Sequence, residues 1–90
     1  MNIHYRNSFG RDLKKIADKT VRAEIKRAVL SVESAATIKD IPRLKKLKSM
    51  KTGIYYRIRV GDYRIGVTIE NGIVTLYAVG LRKDIYRRFP

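Results

Sequence analysis

Residues 54–80, IYYRIRVGDYRIGVTIENGIVTLYAVG, predict three antiparallel strands joined by two tight turns. Asn71-Gly72 lies between two apolar-rich runs, and this pair is typical of a type I′ turn, because both central residues of that turn need φ > 0. Gly61-Asp62 fits the other class of two-residue turn, which takes glycine at its first position. The two turns therefore fix the register of the three strands.

One face of this predicted sheet, the core face, is apolar. Side chains alternate between the faces of a sheet with a period of two, so the register assigns each residue to a face. Counting from the turns, Ile65 lies opposite Ala78 on the core face. The whole core face comprises Ile54, Tyr56, Ile58, Val60, Tyr63, Ile65, Val67, Ile69, Val74, Leu76 and Ala78. We expect it to form the hydrophobic core.

The opposite face, the basic face, carries arginine and aromatic side chains. It comprises Tyr55, Arg57, Arg59, Arg64, Gly66, Thr68, Thr75 and Tyr77, and the register sets Gly66 opposite Tyr77. Arg59 lies directly opposite Arg64, with Arg57 two residues away. Like charges opposed across a ladder destabilise it, so three guanidinium groups together indicate a bound anion, with phosphate the best match. The alternative is a solvated face whose arginines cover apolar surface with their stems.

Composition indicates a single small basic domain with a polyanionic partner. The chain has 90 residues and a formal net charge of +13, which suits RNA, DNA, an acidic protein or an anionic membrane surface. It has no cysteine, and His4 is its one histidine, so neither a disulfide nor a metal site is expected. It contains no transmembrane-length apolar run and no secretory signal, which agrees with a cytoplasmic location.

The first third of the chain predicts a strand followed by two helices. Residues 2–5 form the strand, and Asn7 or Ser8 is expected to cap a helix with the apolar stripe Phe9, Leu13, Ile16 and Ala17. Asp18 or Thr20 is expected to cap a second helix with the stripe Val21, Ile25, Ala28, Val29 and Val32. These elements predict an α+β fold in which an N-terminal strand and a two-helix hairpin pack on one face of a small, mainly antiparallel four-stranded sheet.

Residues 41–53, IPRLKKLKSMKTG, combine regularly spaced apolar side chains with a run of lysines. The apolar residues Ile41, Leu44, Leu47 and Met50 are expected to seat the segment on the edge of the core. The lysines Lys45, Lys46, Lys48 and Lys51 are expected to point outward. They form either a solvated basic loop or a surface that attracts phosphate, and the sequence favours neither interpretation. The final segment, LRKDIYRRFP, predicts a turn or short helix.

The chain lacks the common catalytic and nucleotide-binding motifs. It contains no GxxxxGK[ST] loop, no GxGxxG, no HExxH and no Ser/His/Asp set. Any chemistry it performs must therefore depend on arginine, lysine and tyrosine.

The element order, the LKKLK segment, YYRIRVGDYRIGV and the closing VGLRKDIYRRF together resemble the RelE/ParE superfamily of bacterial and archaeal toxins. The resemblance covers nearly the whole chain. It implies that residues 1–90 form one RelE-like toxin domain, with no small-molecule cofactor, that a cognate antitoxin protein neutralises. Members of the RelE branch cleave mRNA in the ribosomal A site, and members of the ParE branch inhibit DNA gyrase.

The resemblance also assigns candidate catalytic residues by position: Arg57, Arg59, Arg64, Arg82 and Tyr86. It favours a metal-independent endoribonuclease in which the 2′-OH attacks the adjacent phosphate, with the ribosome and mRNA as partners. The candidate contacts to RNA or the ribosome are Lys45, Lys46, Lys48, Lys51, Tyr55 and Arg87.

Leu81 stands where many members of the superfamily carry a histidine that serves in proton transfer. The sequence therefore leaves the general base unidentified. Two alternatives stay open beside the nuclease: a ParE-like gyrase inhibitor, and a catalytically inactive module that binds RNA or its antitoxin.

Overall fold

A computed structural model describes residues 1–47 and 54–89 as five strands and three α-helices. The elements are β1 (Asn2–Tyr5), α1 (Asn7–Lys14), α2 (Lys19–Ser34), β2 (Leu44–Lys46), β3 (Tyr55–Val60), β4 (Tyr63–Glu70), β5 (Ile73–Leu81) and α3 (Arg82–Arg88). The sheet order is β1-β5-β4-β3-β2, in which β1 runs parallel to β5 and the other neighbours are antiparallel. The predicted α+β class and the mainly antiparallel sheet are confirmed.

The sheet has one strand more than the four predicted. Leu44–Lys46 forms the short edge strand β2, which pairs Leu44 with Ile58 and Lys45 with Arg57. The sequence does not predict β2, because three residues are too few to show alternation and two of them are lysines. Lysine on a short edge strand is nevertheless a common protection against aggregation. Ile41 is buried and Leu44 packs against the core, as expected for the apolar residues of this segment. Met50, Lys48 and Lys51 lie outside the described residues.

Both predicted turns are confirmed by the backbone angles. Asn71 and Gly72 have φ values of 53° and 77°, the positive pair that a type I′ turn requires. Gly61 has φ 59°, as expected for the first position of the second turn. Near the turns the pairing also follows the prediction, with Arg59 opposite Arg64 and Val67 opposite Leu76.

Farther from the Asn71-Gly72 turn, the predicted register of β5 is wrong by one residue. A β-bulge opposite Gly66 and Val67 leaves Tyr77 unpaired, so that Gly66 pairs with Ala78 and Ile65 pairs with Val79. The expected pairs Ile65–Ala78 and Gly66–Tyr77 do not form. Val79 instead enters the core at 2% exposure, and Ala78 turns to the basic face. A register counted from a turn assumes that the ladder is unbroken. The extra residue of a bulge shifts every later pair by one position.

The helices cover the core face as predicted, but one expected cap and the end of the first apolar stripe are wrong. Helix α1 ends at Lys14, so that Ile16 is buried beyond the helix and Ala17 is exposed. The Asp18 carboxylate accepts hydrogen bonds from the backbone N–H groups of Thr20 and Val21 and caps α2, as expected. Helix α1 begins after Arg6 without a side-chain cap. Ser8 does not cap it, because its hydroxyl donates to the carbonyl oxygen of Tyr77 across the α1–β5 contact.

Two hydrophobic clusters lie on opposite sides of the sheet. The larger one joins α1 and α2 to the core face and is centred on Ile25, Val32, Ile65, Val67, Val74 and Leu76. The smaller one lies under α3 on the basic face and comprises Ala78, Ile85 and Phe89, with Leu47, Tyr55 and Tyr77 at its margin. The predicted terminal helix is confirmed, and it covers part of the face that bears the arginines. None of the helices within the described ranges is long and apolar enough to cross a membrane.

Candidate functional site

The structure gathers the predicted catalytic residues on the basic face, at the end of the sheet where β3, β4 and α3 meet. We call Arg57, Arg59, Arg64, Arg82 and Tyr86 the arginine–tyrosine cluster. Burial lowers the pKa of Arg64 most, and the charges of Arg57, Arg82 and Arg59 lower it further, whereas Tyr86 raises it. Each of the other four members therefore lies close enough to Arg64 to act on its charge.

The entry of α3 is tied to the turn between β3 and β4. The backbone N–H of Arg82 donates to the carbonyl oxygen of Asp62 at 3.0 Å, and the last residue of β5, Leu81, pairs with Tyr63. Arg82 is therefore held beside the first residues of β4, next to Arg64. This explains how two residues beyond the last strand join a cluster that begins on β3.

Arg64 is built into the protein rather than presented at its surface. It is 7% exposed, and its Nη1 donates to the carbonyl oxygens of Gly61 and Tyr63 at 2.8 Å each. Its buried Nε has no hydrogen-bond partner among the residues that the structure describes, which costs about 1–3 kcal/mol for such a donor. Arg64 thus anchors the turn and contributes positive charge from beneath the cluster.

Tyr86 is the cluster's group best suited to proton transfer. It is 49% exposed, and the guanidinium carbon of Arg82 lies 5.9 Å from its ring centroid. Hydrogen bonding to Arg82 lowers the pKa of the Tyr86 phenol, the charges of Arg57, Arg82 and Arg64 lower it further, and burial opposes them. Because cations favour the phenolate, this phenol loses its proton more readily than an ordinary tyrosine.

Among the residues that the structure describes, no carboxylate forms an ion pair with the cluster. Within residues 1–47 and 54–89, the ion pair that forms joins Arg88 to Asp12, and none of the five cluster residues takes part in it. The same residues contain no group of three histidine or acidic side chains placed to hold a metal ion. Several guanidinium groups without a protein counter-ion form a positive site that suits a phosphate.

The other predicted RNA or ribosome contacts are distributed around this site. Lys45 lies opposite Arg57 and extends the basic face, whereas Lys46 lies opposite Tyr56 and points to the other side of the sheet. Both lysines are exposed. The lysine run is therefore divided between two faces, because strand geometry alternates its side chains.

The two other predicted contacts, Tyr55 and Arg87, lie at the margins of the site. Tyr55 is half-buried and packs edge-on against Phe89, with 5.6 Å between ring centroids. Arg87 is exposed and lines a cleft between α1 and α3. The cluster member Arg59 is exposed near the end of β3, where it also lines a second cleft with Arg27 and Arg43.

Comparison with known proteins identifies the family. The family model described as "ParE toxin of type II toxin-antitoxin system, parDE" matches residues 3–86. The chain is also 33% identical over 91 residues to Toxin RelE3 of Methanocaldococcus jannaschii, a match that covers all of both chains. The chain belongs to the RelE/ParE toxin superfamily. It is a RelE-like toxin of the type II toxin–antitoxin class, as the sequence motifs predicted.

Solved structures agree with this assignment. The toxin is similar to a chain of the RelB-RelE antitoxin-toxin complex from Methanococcus jannaschii, with a TM-score of 0.78 and 31% identity over 97% of this chain and 99% of that one. It also shares its fold with the YoeB dimer from Staphylococcus aureus, with a TM-score of 0.68 and 21% identity over 87% of this chain and 92% of that one.

Sequence reasoning missed the residues that hold α3 in place on the toxin. Asp12 is 7% exposed and pairs with Arg88, and Phe89 lies over Gly66. A signal for Asp12 was present, because it lies three residues after Phe9 on the apolar stripe of α1, where a carboxylate needs a partner. An isolated glycine within a strand such as Gly66 indicates the close approach of another group.

Proposed function

We propose that the toxin is a ribosome-dependent endoribonuclease that cleaves mRNA in the A site and so inhibits translation. The observation that carries the proposal is the arginine–tyrosine cluster, in which cations without a protein counter-ion surround a phenol whose pKa they lower. Its similarity over the full chain to Toxin RelE3 supports the same conclusion.

The reaction is a transesterification that needs three contributions. The 2′-oxygen must lose a proton, the charge on the phosphorane must be stabilised, and the 5′-oxygen must gain a proton. Arg57 and Arg82 hold the scissile phosphate and stabilise its developing charge, and Arg64 adds its charge from beneath. Arg82, at the start of α3, also donates a hydrogen bond to the leaving 5′-oxygen and stabilises its negative charge until that oxygen takes a proton from water. In this proposal Arg59, which lines a cleft beside Arg27 and Arg43, binds the phosphate of a neighbouring nucleotide.

Tyr86 is the proton acceptor in this proposal. An arginine side chain stays protonated far above neutral pH, so a guanidinium accepts no proton there. Tyr86 is exposed and its pKa is lowered, so the phenolate is reached at a lower pH than in an ordinary tyrosine. This assignment provides the base that the sequence left unidentified at Leu81.

We expect cleavage to depend on the ribosome, because the acid–base groups of this site supply only a modest rate enhancement. General acid–base catalysis supplies about 10²–10⁴-fold, and a tyrosine is a weak base at neutral pH, so orientation of the RNA must supply much of the rest. The ribosome holds mRNA in a fixed geometry. We therefore expect slow cleavage of free RNA.

The test compares variants on ribosomes stalled with a defined mRNA, with primer extension to map the cuts. Wild-type toxin is expected to give one discrete cut, in the codon that the stalled ribosome holds in its A site. Arg82→Ala is expected to slow cleavage about 10²–10³-fold, the usual loss on removing one transition-state donor. Lys83→Ala removes an equal charge from the next residue of α3 and is the matched control. Full cleavage by Arg82→Ala would refute the site assignment.

Inhibition of DNA gyrase is a second candidate, favoured by the description of the matching family model as a ParE toxin. A supercoiling assay with purified gyrase distinguishes the two. Loss of supercoiling with intact mRNA on the ribosome would establish the gyrase inhibitor. Ribosome binding without cuts would establish an inactive binding module.

A cognate antitoxin is the expected protein partner. The similar M. jannaschii structure is an antitoxin-toxin complex, and so is the RelBE complex of E. coli. A net charge of +13 favours an acidic antitoxin segment that folds as it docks. Co-expression with the candidate antitoxin is expected to abolish growth arrest, and a lack of protection would exclude that candidate.

A further inference from the structure

Asp12 occupies an unusual position, as a buried carboxylate among the apolar side chains of α1. One of its oxygens accepts the backbone N–H of Val79 at 3.1 Å, and Arg88 Nη1 donates to both oxygens at 3.0 and 3.1 Å. It thereby joins three elements, α1, β5 and α3. A buried charge with two partners is stable in place, and removal of either partner is costly.

Asp12 provides a hydrogen-bond partner for β5 beyond the point where β1 ends. β1 pairs with β5 up to Tyr5 opposite Leu76, and the N–H of Arg6 still donates to the Leu76 carbonyl. Beyond that point α1 supplies the partners of β5, through Ser8 at the Tyr77 carbonyl and Asp12 at the Val79 N–H. The position of Asp12 is thus fixed by the sheet, independently of α3.

Helix α3 depends on external anchors. It has seven residues, which is too short for a helix to be stable on its own. Its C-terminal end is held by the Arg88–Asp12 pair and by Phe89 over Gly66. Gly80 admits the Arg88 guanidinium, because a Cβ there would lie 3.2 Å from Arg88 Nη2. Tyr86 lies two residues before Arg88.

From this geometry we infer that Asp12 is a positioning residue: through Arg88 it holds the C-terminal end of α3 at the angle that brings Tyr86 to Arg57, Arg64 and Arg82. The inference rests on the proposed function for its catalytic consequence. The placement of Tyr86 is a property of the fold and is testable without any cleavage.

The first test measures the environment of Tyr86 in the full chain. The chain has six tyrosines, so the phenolate absorbance of each protein is titrated against the same protein carrying Tyr86→Phe, and the difference reports Tyr86. In Asp12→Asn we expect the Tyr86 titration to move to higher pH, because the phenol leaves its cations. Glu70→Gln, which removes an exposed carboxylate at the end of β4, is the matched control and should leave the titration unchanged.

A second variant guards against a folding defect. Asp12→Asn keeps an oxygen for the Val79 N–H, and Arg88→Ala disturbs the pair from α3 without altering α1. Both are expected to shift the Tyr86 titration in the same direction, and the double variant to shift it no further than either single one. Arg88→Lys, which keeps a donor, is expected to restore part of the wild-type titration. A Tyr86 titration unchanged in both Asp12→Asn and Arg88→Ala would overturn the inference.

The catalytic test uses single-turnover cleavage on the stalled ribosome. With saturating toxin, Asp12→Asn is expected to lower the cleavage rate by about 10²-fold, the effect of a small misplacement of reacting groups, with little change in the half-saturating concentration. A shifted Tyr86 titration with an unchanged rate would contradict the proposed role of Tyr86 in the reaction while leaving its positioning by Asp12 intact. An increase in half-saturating concentration alone would assign Asp12 to ribosome binding and overturn the catalytic part.

Discussion

The two faces of the toxin's sheet are built by different rules. The core face follows strict alternation along β3 and β4, and every side chain it was predicted to take from those strands is buried or half-buried. The basic face depends on a bulge in β5, on the docking of the seven-residue helix α3 and on the ion pair of Arg88 with the buried carboxylate of Asp12, each of which joins distant parts of the chain. Stability therefore comes mainly from side-chain burial on the regular core face, whereas the proposed chemistry depends on the irregular basic face.

The largest effect on stability is expected on the core face. Ile25 is 1% exposed between α2 and the sheet, so Ile25→Ala should lower the free energy of unfolding by about 2–5 kcal/mol, measured by urea denaturation. Cleavage per folded molecule should not change. Leu30→Ala, at a 49% exposed position of the same helix, is the control and should stay within about 0.5 kcal/mol of wild type. A loss of specific activity in Ile25→Ala would contradict the separation of the two faces.

The next effect is expected on the basic face. A Cβ on Gly66 would lie 2.5 Å from Phe89 Cδ2, so Gly66→Ala should displace Phe89 and with it the end of α3. We expect single-turnover cleavage to fall about 10²-fold, because the cluster loses its geometry. If α3 docks independently of Phe89, activity and the Tyr86 titration will both stay at wild-type values.

The pH dependence of cleavage tests whether Tyr86, on the basic face, is the proton acceptor. The base form of Tyr86 is the phenolate and its pKa is lowered, so the cleavage rate should rise with pH and reach its plateau at a lower pH than an ordinary phenol would give. Arg82→Gln removes the largest cause of the shift and should move the plateau to higher pH. Tyr86→Phe should abolish the rise, whereas Tyr5→Phe, at an exposed position on β1, should keep it. A rise that persists in Tyr86→Phe would assign the base elsewhere.

The smallest effect is expected from a glycine that faces open space. A Cβ on Gly10 in α1 would meet no atom within 4 Å, and alanine is the better helix former. Gly10→Ala should therefore stabilise the toxin by about 0.5–1 kcal/mol in urea denaturation, without an effect on cleavage. It is also the counterpart of Gly66→Ala, since the same substitution is predicted to have opposite consequences on the two sides of the sheet.

The sequence predicted those parts of the fold that depend on local rules. The turns at Gly61 and Asn71, the Asp18 cap and the apolar stripe of α2 each follow from neighbouring residues. The cluster was predicted because Arg59 and Arg64 are opposed near a turn and the family motif adds Arg82 and Tyr86.

The remaining features depend on contacts between distant segments. The unpaired Tyr77 has no signature in its neighbours, and the three residues of β2 are too few to alternate. The partner of Asp12 lies 76 positions along the chain, at Arg88. These features required the three-dimensional structure.

Because Tyr77 is unpaired, the alternation of inward and outward side chains in β5 shifts by one residue at this point. Before it, the even-numbered residues Val74 and Leu76 point inward; after it, the odd-numbered Val79 does. Without this shift, Arg64 would stand beside Val79 rather than Gly80, and a branched side chain would fill the space that the Arg88 guanidinium now uses. Deletion of one residue in this strand would therefore move each side chain that follows it to the opposite face of the sheet.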